Sequence, residues 1–269
     1  MNVHYFLSYS MIGDVMIFDY QDMNIYYEVY GDKDKVILIL PGWGQTRKTF
    51  HDMIEILKLE YTVYILDYPG FGHSPFPNRD LILDDYVQMV TAFIERNNLE
   101  NVNIIAHSFG GRIAILLANQ PIKKKIHKLI LIDSAGIKPK KTIKKWFRQK
   151  LYKWLQSMAD ILPKKLRKKA KYRLFQHFAS NDYQNLPSNE RTTFKNIISI
   201  DLTDKLATIT INTLLIWGAK DEDTPLKDGI KMQKKIANSQ LIIFPRSTHF
   251  CYLENPYVIV RIILYFLED

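Results

Sequence analysis

Apolar residues along this chain follow two alternating patterns. Short runs rich in Val, Ile and Leu give way to stretches whose apolar positions recur at helical spacing, the mark of strand–helix units around a mostly parallel sheet. Val15–Phe18 and Asn24–Tyr30 predict the first two strands. Val36–Leu40, Thr62–Asp67, Val102–Ala106, Lys128–Ile132, Thr213–Trp217 and Gln240–Phe244 predict six more. Asp84–Asn97 reads as an amphipathic helix and Tyr257–Leu267 as the closing one. The alternation stops between residues 137 and 205. There Ile143, Trp146, Phe147, Leu151, Trp154, Leu155 and Met158 recur at helical spacing opposite a basic face. The pattern therefore predicts an α/β fold with eight strands in its sheet, flanked by helices and interrupted by a helical insertion. Its core would be residues 15–136 and 206–269, with residues 137–205 as a cap. Residues 1–14 would form an N-terminal extension, and Met16 could equally serve as an initiator.

One junction carries chemistry. From Asn101 to Ala118 an apolar strand ends in Ala106, His107, Ser108, Phe109, Gly110 and Gly111 and turns at once into a helix. A turn this sharp strains the residue at its apex and needs small neighbours so that the helix can pack back on the strand. The apex is Ser108, its hydroxyl exposed at the tip and backed by a helix N-terminus that favours developing negative charge. A nucleophilic serine needs a base and a carboxylate to orient that base. Downstream, the strand ending at Trp217 leads into Gly218, Asp221, Asp223 and Pro225, and the strand ending at Phe244 leads into a loop with His249.

These segments resemble the α/β-hydrolase superfamily, of the kind with a helical cap, such as carboxylesterases and meta-cleavage-product hydrolases. The matching pieces are Leu40–Thr46, Asp67–Ser74, Ala106–Gly111, Gly218 with Asp221 and Pro225, and His249 with Glu254 and Pro256, in family order across roughly residues 15–269. The chain departs from the family at Pro41, where His-Gly is commoner, at Ala106 for the first elbow glycine, and at Thr248, where Gly often precedes the His. None of these removes a catalytic side chain. The resemblance implies a triad of Ser108, Asp221 and His249, in the family's chain order. Asp223 and Asp133 compete for the acid position. It also implies an oxyanion hole from the backbone N–H groups of Trp43 and Phe109, and a pocket involving Gly42, His107, Trp146 and Phe250. The expected reaction is acyl transfer to water on a small-molecule acyl substrate, with a carboxylic ester as the default. Such chemistry needs no organic cofactor, and no Cys/His cluster suggests a metal. Hydrolysis of a carbon–carbon bond in a vinylogous diketone acid is the alternative, with Arg112 or Arg191 holding the substrate carboxylate. A non-catalytic ligand-binding protein on the same fold is the other.

Charge adds one question. The 269-residue chain has a net charge of +9, yet residues 137–205 hold 18 Lys and Arg against 5 Asp and Glu, which leaves the remainder net negative. A solvated outer face is the plain reading of that excess. A cap that docks on an anionic membrane through Lys144, Lys145, Arg148 and Lys153 is the sharper one, and a basic funnel for acidic substrates is a third. No nucleic-acid module is visible. There is no apolar stretch of the roughly 18 residues a bilayer-spanning helix needs and no basic leader. The lone cysteine, Cys251, reads as core packing and excludes an intrachain disulfide framework. Together these give a cytoplasmic expectation.

Overall fold

A computed structural model describes residues 15–138 and 190–268, with isolated positions between 155 and 170. Its strands are β1 (Val15–Tyr20), β2 (Met23–Tyr30), β3 (Val36–Leu40), β4 (Thr62–Leu66), β5 (Val102–His107), β6 (Ile126–Ile132), β7 (Asn212–Gly218) and β8 (Ser239–Phe244). They form one sheet in the order β1-β2-β4-β3-β5-β6-β7-β8. β2 pairs antiparallel with β1 and β4, and every other pairing is parallel. The central strands β3, β5 and β6 are buried almost throughout, as a parallel sheet covered on both faces requires.

The helices are α1 (His51–Leu57), α2 (Leu83–Arg96), α3 (Phe109–Leu117), α4 (Arg191–Ile198), α5 (Leu226–Lys235), α6 (Cys251–Glu254) and α7 (Pro256–Glu268). On one face, Met53, Ile54 and Leu57 of α1 and Ile259, Val260 and Ile263 of α7 close over Ile37, Ile39, Ile65, Ile105, Ile130 and Ile216. On the other, α2 packs on α3, and α3 packs on β3, β5 and β6. Helix α2 starts one residue before the expected Asp84, because the Asp85 carboxylate accepts the Ile82 N–H at 2.7 Å and closes the N-terminus there. Likewise β4 stops short of Asp67, whose carboxylate instead accepts the His73 N–H at 3.0 Å across the following turn.

The chain divides into two units, residues 1–137 with 200–269, and residues 138–199. The expected insertion ended at residue 205. The return comes earlier because the Leu202 N–H donates to Gly136 O and Arg112 Nη1 donates to Ile200 O, both at 2.8 Å. Residues 1–14 lie outside the described residues. So do Ile143, Trp146, Phe147, Leu151 and Trp154 of the predicted apolar stripe, and Lys144, Lys145, Arg148 and Lys153 of its basic face. Of that stripe Leu155 and Met158 are described, both helical, Leu155 half-buried and Met158 exposed. Among the described residues no helix is long and apolar enough to cross a membrane.

Candidate active site

β5 hands over to α3 with no intervening loop, so Ser108 sits at the apex with φ 48° and ψ −111°. This left-handed conformation is costly for any residue but glycine. It is held by backbone bonds: Ser108 N donates to Ile132 O at 3.2 Å, and Ser108 O accepts from Gly111 N at 3.0 Å and Ala135 N at 2.9 Å. The glycines after it are steric necessities. A Cβ at Gly110 would lie 2.0 Å from Leu40 O, and one at Gly111 would lie 1.8 Å from Ser134 Oγ. Ala106 in place of the first elbow glycine is accommodated, fully buried within β5.

Asp221 and His249 reach Ser108 from the ends of β7 and β8. His249 Nε2 lies 2.9 Å from Ser108 Oγ and His249 Nδ1 lies 2.8 Å from Asp221 Oδ2. A carboxylate accepts only, so Nδ1 carries the hydrogen and Nε2 is left to accept from the serine. The loops meet closely here: a Cβ on Gly218 would be 2.1 Å from Thr248 O. Asp221 is buried, and burial alone would raise its pKa. The hydrogen bond and charge of His249, with bonds from Thr224, outweigh that and hold it below the usual carboxylate value. Burial likewise disfavours the His249 cation, but the bond and charge of Asp221, helped by Asp223 and Asp133, leave its pKa raised.

Of the competing acids, Asp223 is exposed, and its N–H donates to Asp221 Oδ1 at 2.8 Å. Asp133 binds the Gly218 N–H instead of the imidazole. Thr224 is a partner that spacing did not reveal. Its hydroxyl lies 2.6 Å from Asp221 Oδ2, 2.8 Å from Asp133 O and 3.3 Å from His249 Nδ1.

The proposed oxyanion donors come from two elements. Phe109 is the first residue of α3, where an N–H has no intrahelical acceptor. Trp43 follows Gly42 on the loop after β3. Its indole packs edge-on against Phe109 and Phe71, with centroids 5.4 and 5.0 Å away. Gln45 fixes that loop by accepting the Gly42 N–H at 2.8 Å.

His107, expected to line the pocket, is instead fully buried and acts as a strut. Its Nε2 donates to the His249 carbonyl at 2.8 Å, and its Nδ1 lies 3.0 Å from the Gln45 amide. Burial, then the nearby His249 charge, push its pKa down to about 3. Gly42 is also buried, whereas Phe250, edge-on to His249, is exposed. Trp146 lies outside the described residues. Arg112 is 4% exposed and committed to Ile200 O. Arg191 opens α4 in the other unit.

Asp221, Asp223 and His249 offer atoms within 4.8 Å of one another. The imidazole nitrogens already serve Asp221 and Ser108, so a cation would have to break the line that the geometry builds. That line is what nucleophilic attack by a serine requires: a nucleophile in contact with a base, the base oriented by a buried carboxylate, and helix-end N–H groups beside it.

A family model described as alpha/beta hydrolase fold matches residues 35–256. The chain is 24% identical to 2-hydroxy-6-oxononadienedioate/2-hydroxy-6-oxononatrienedioate hydrolase 1 of Pseudomonas putida, over 91% of this chain and 92% of that protein. It is 23% identical to a pimeloyl-(acyl-carrier protein) methyl ester esterase of Aeromonas hydrophila, over 91% of this chain and 100% of that one. Among solved structures, a hydrolase from Pseudomonas aeruginosa superposes with a TM-score of 0.74 at 20% identity, covering 96% of this chain and 100% of its own.

Proposed function

The chain belongs to the α/β-hydrolase fold family and is a hydrolase, and within that class we propose that it cleaves a carboxylic ester through an acyl-enzyme on Ser108. The observation that carries the reading is the unbroken line of hydrogen bonds from Ser108 Oγ through His249 to Asp221. Ser108 Oγ attacks the carbonyl carbon while His249 Nε2 takes the hydroxyl proton. The carbonyl electron pair moves to oxygen, where the N–H groups of Trp43 and Phe109 stabilise it, each worth about 2.7–4 kcal/mol in the transition state. The bond to the alcohol then breaks as His249 returns the proton to the departing oxygen. Water, deprotonated by His249, attacks the acyl carbon, and the acid leaves as Ser108 regains its proton. Asp221 keeps the productive tautomer and offsets the imidazolium charge throughout.

The same groups serve carbon–carbon hydrolysis, the chemistry suggested by the name of the Pseudomonas putida relative. That reaction needs a cation for the substrate carboxylate. Arg112, the candidate within the core unit, is 4% exposed, with Nη1 donating to Ile200 O. The ester reading is supported by the methyl ester esterase among the relatives.

The test is turnover of short-chain p-nitrophenyl esters together with stoichiometric labelling by a fluorophosphonate. The intact protein should do both, and Ser108→Ala and His249→Ala neither. Ester turnover that survives Ser108→Ala would sink the proposal. Slow ester turnover with rapid bleaching of ring-fission acids would move it to the carbon–carbon reaction.

A further inference from the structure

Asp133, at the end of β6, is a second carboxyl beside the site that the mechanism above leaves unused. It is 0% exposed and takes a left-handed backbone, φ 42°. Both features cost stability: a carboxyl loses its water, and a side-chain-bearing residue rarely adopts that conformation. Neither cost is recovered by an ion pair, since no Lys or Arg pairs with it among the described residues. Its contacts are instead backbone groups of the two loops that bear the base and its acid. Oδ1 accepts the Gly218 N–H at 2.8 Å, where β7 ends and the acid loop begins. Oδ2 accepts the Cys251 N–H at 3.3 Å, two residues after His249. The Asp133 carbonyl meets the Thr224 hydroxyl at 2.8 Å, and the Asp133 N–H donates to Ile216 O at 2.9 Å. One residue thus ties the loops of Asp221 and His249 to each other and to the strand next to the elbow.

Resting on the serine-hydrolase reading, we propose that Asp133 is a positioning residue. Its buried carboxylate clamps the acid-bearing loop to the base-bearing loop and adds negative charge behind His249. The chemistry selects Asp for this work. At this reach only a carboxylate offers two acceptor oxygens and no donor, so it holds two N–H groups at once, whereas Asn would turn its own NH2 toward one of them. The titratable groups around it are Asp221 from the acid loop and His249, Cys251 and Tyr252 from the base loop. Asp223 bears on it through His249. Burial raises Asp133 to about 7, against the lowering effect of the bonds from Cys251 and Gly218. The Asp133 and His249 charges act on each other, so their ionisations are coupled. Because the Asp133 charge favours the imidazolium, removing it lowers the His249 pKa.

The experiment compares the intact protein with Asp133→Asn in three readouts: kcat and KM on a p-nitrophenyl ester across pH, fluorophosphonate labelling, and the urea midpoint. Losing one of two charge-assisted bonds predicts a kcat lower by about tenfold or more with KM nearly unchanged. The acidic limb of kcat should move to lower pH. A merely structural residue would alter the urea midpoint and leave the limb where it was, which would overturn the proposal. If Asp133→Asn does not fold, Asp133→Ser is read in the same way, and a limb that stays where it lies in the intact protein refutes the proposal. Failure of the hydrolase reading looks different, since the intact protein would then neither label nor turn over.

Discussion

Adding a single methyl group at Gly111 tests how tightly the elbow is built. An Ala Cβ there would lie 1.8 Å from Ser134 Oγ, 2.8 Å from its Cβ and 3.3 Å from its Cα, where ordinary contact is 3.4–4 Å. The first turn of α3 must therefore retreat from the end of β6 by more than an ångström, or Ser134 must leave. Ser134 is buried, and its hydroxyl donates to Ala135 O at 3.0 Å, so neither movement is free. Overpacking of this kind costs about 1–3 kcal/mol, a fall in Tm of roughly 2–10 °C for a chain of this size. The displacement reaches the nucleophile because Gly111 N and Ala135 N both donate to Ser108 O. A shift near an ångström there should cut turnover by up to about 100-fold. Compensation should be graded. Ser134→Ala removes the worst contact but keeps the Cβ at 2.8 Å, so it restores stability in part. Ser134→Gly leaves only the Cα at 3.3 Å and should restore most of it. Gly110→Ala is the control, because its clash is with the backbone oxygens of Leu40 and Pro41 and no side-chain change relieves it. The assay is a double-mutant cycle on urea midpoints, with ester turnover measured alongside. A Gly111→Ala protein as stable as its parent, or one that Ser134→Gly fails to restore, would refute the packing argument.

Three further outcomes are expected. Turnover needs neutral His249, whose pKa is raised above 6.5, so kcat/KM should climb with pH along a limb centred above that value. Asp221→Asn should move the limb to lower pH and cut kcat by about 10⁴-fold, and a limb that stays put would dissociate Asp221 from the base. Gln45→Leu leaves the buried Gly42 N–H and His107 without their partner, so it should cost about 1–3 kcal/mol in urea unfolding and lower kcat about tenfold by loosening the loop that bears Trp43. An unchanged kcat would count against that role. Ser74→Ala should cost about 1–3 kcal/mol in urea unfolding, because the Ser74 hydroxyl donates to Asp67 O at 2.6 Å and accepts the Tyr26 N–H at 2.8 Å. An unchanged midpoint would mean the turn after β4 is held by other bonds.

How much of this was legible in the linear chain follows from what each feature depends on. The strands were visible because a sheet covered on both faces demands unbroken apolar runs. Ser108, Asp221 and His249 were visible because each terminates such a run at a turn of recognisable composition. Helices α1 and α5 were not anticipated: α1 is a single seven-residue element, and α5 buries only Gly229 and Met232 on a largely polar surface. The place of His107 is hidden in the sequence for a related reason. In a strand buried on both faces, alternation cannot say which side looks into a pocket, and position 107 looks inward to Gln45 and the His249 carbonyl. The supporting residues escaped because their partners are distant in sequence. Gln45 serves residue 107, and Asp133 serves residues 218 and 251. Reaction chemistry leaves its mark on residue type at a strand end. The geometry that holds the reacting groups is built from backbone amides, which every residue carries, and so it leaves no mark on type at the positions it holds. Asp133 is the instructive case: its residue type suggested an alternative acid, and only its two bonded N–H groups distinguish a clamp from a triad member.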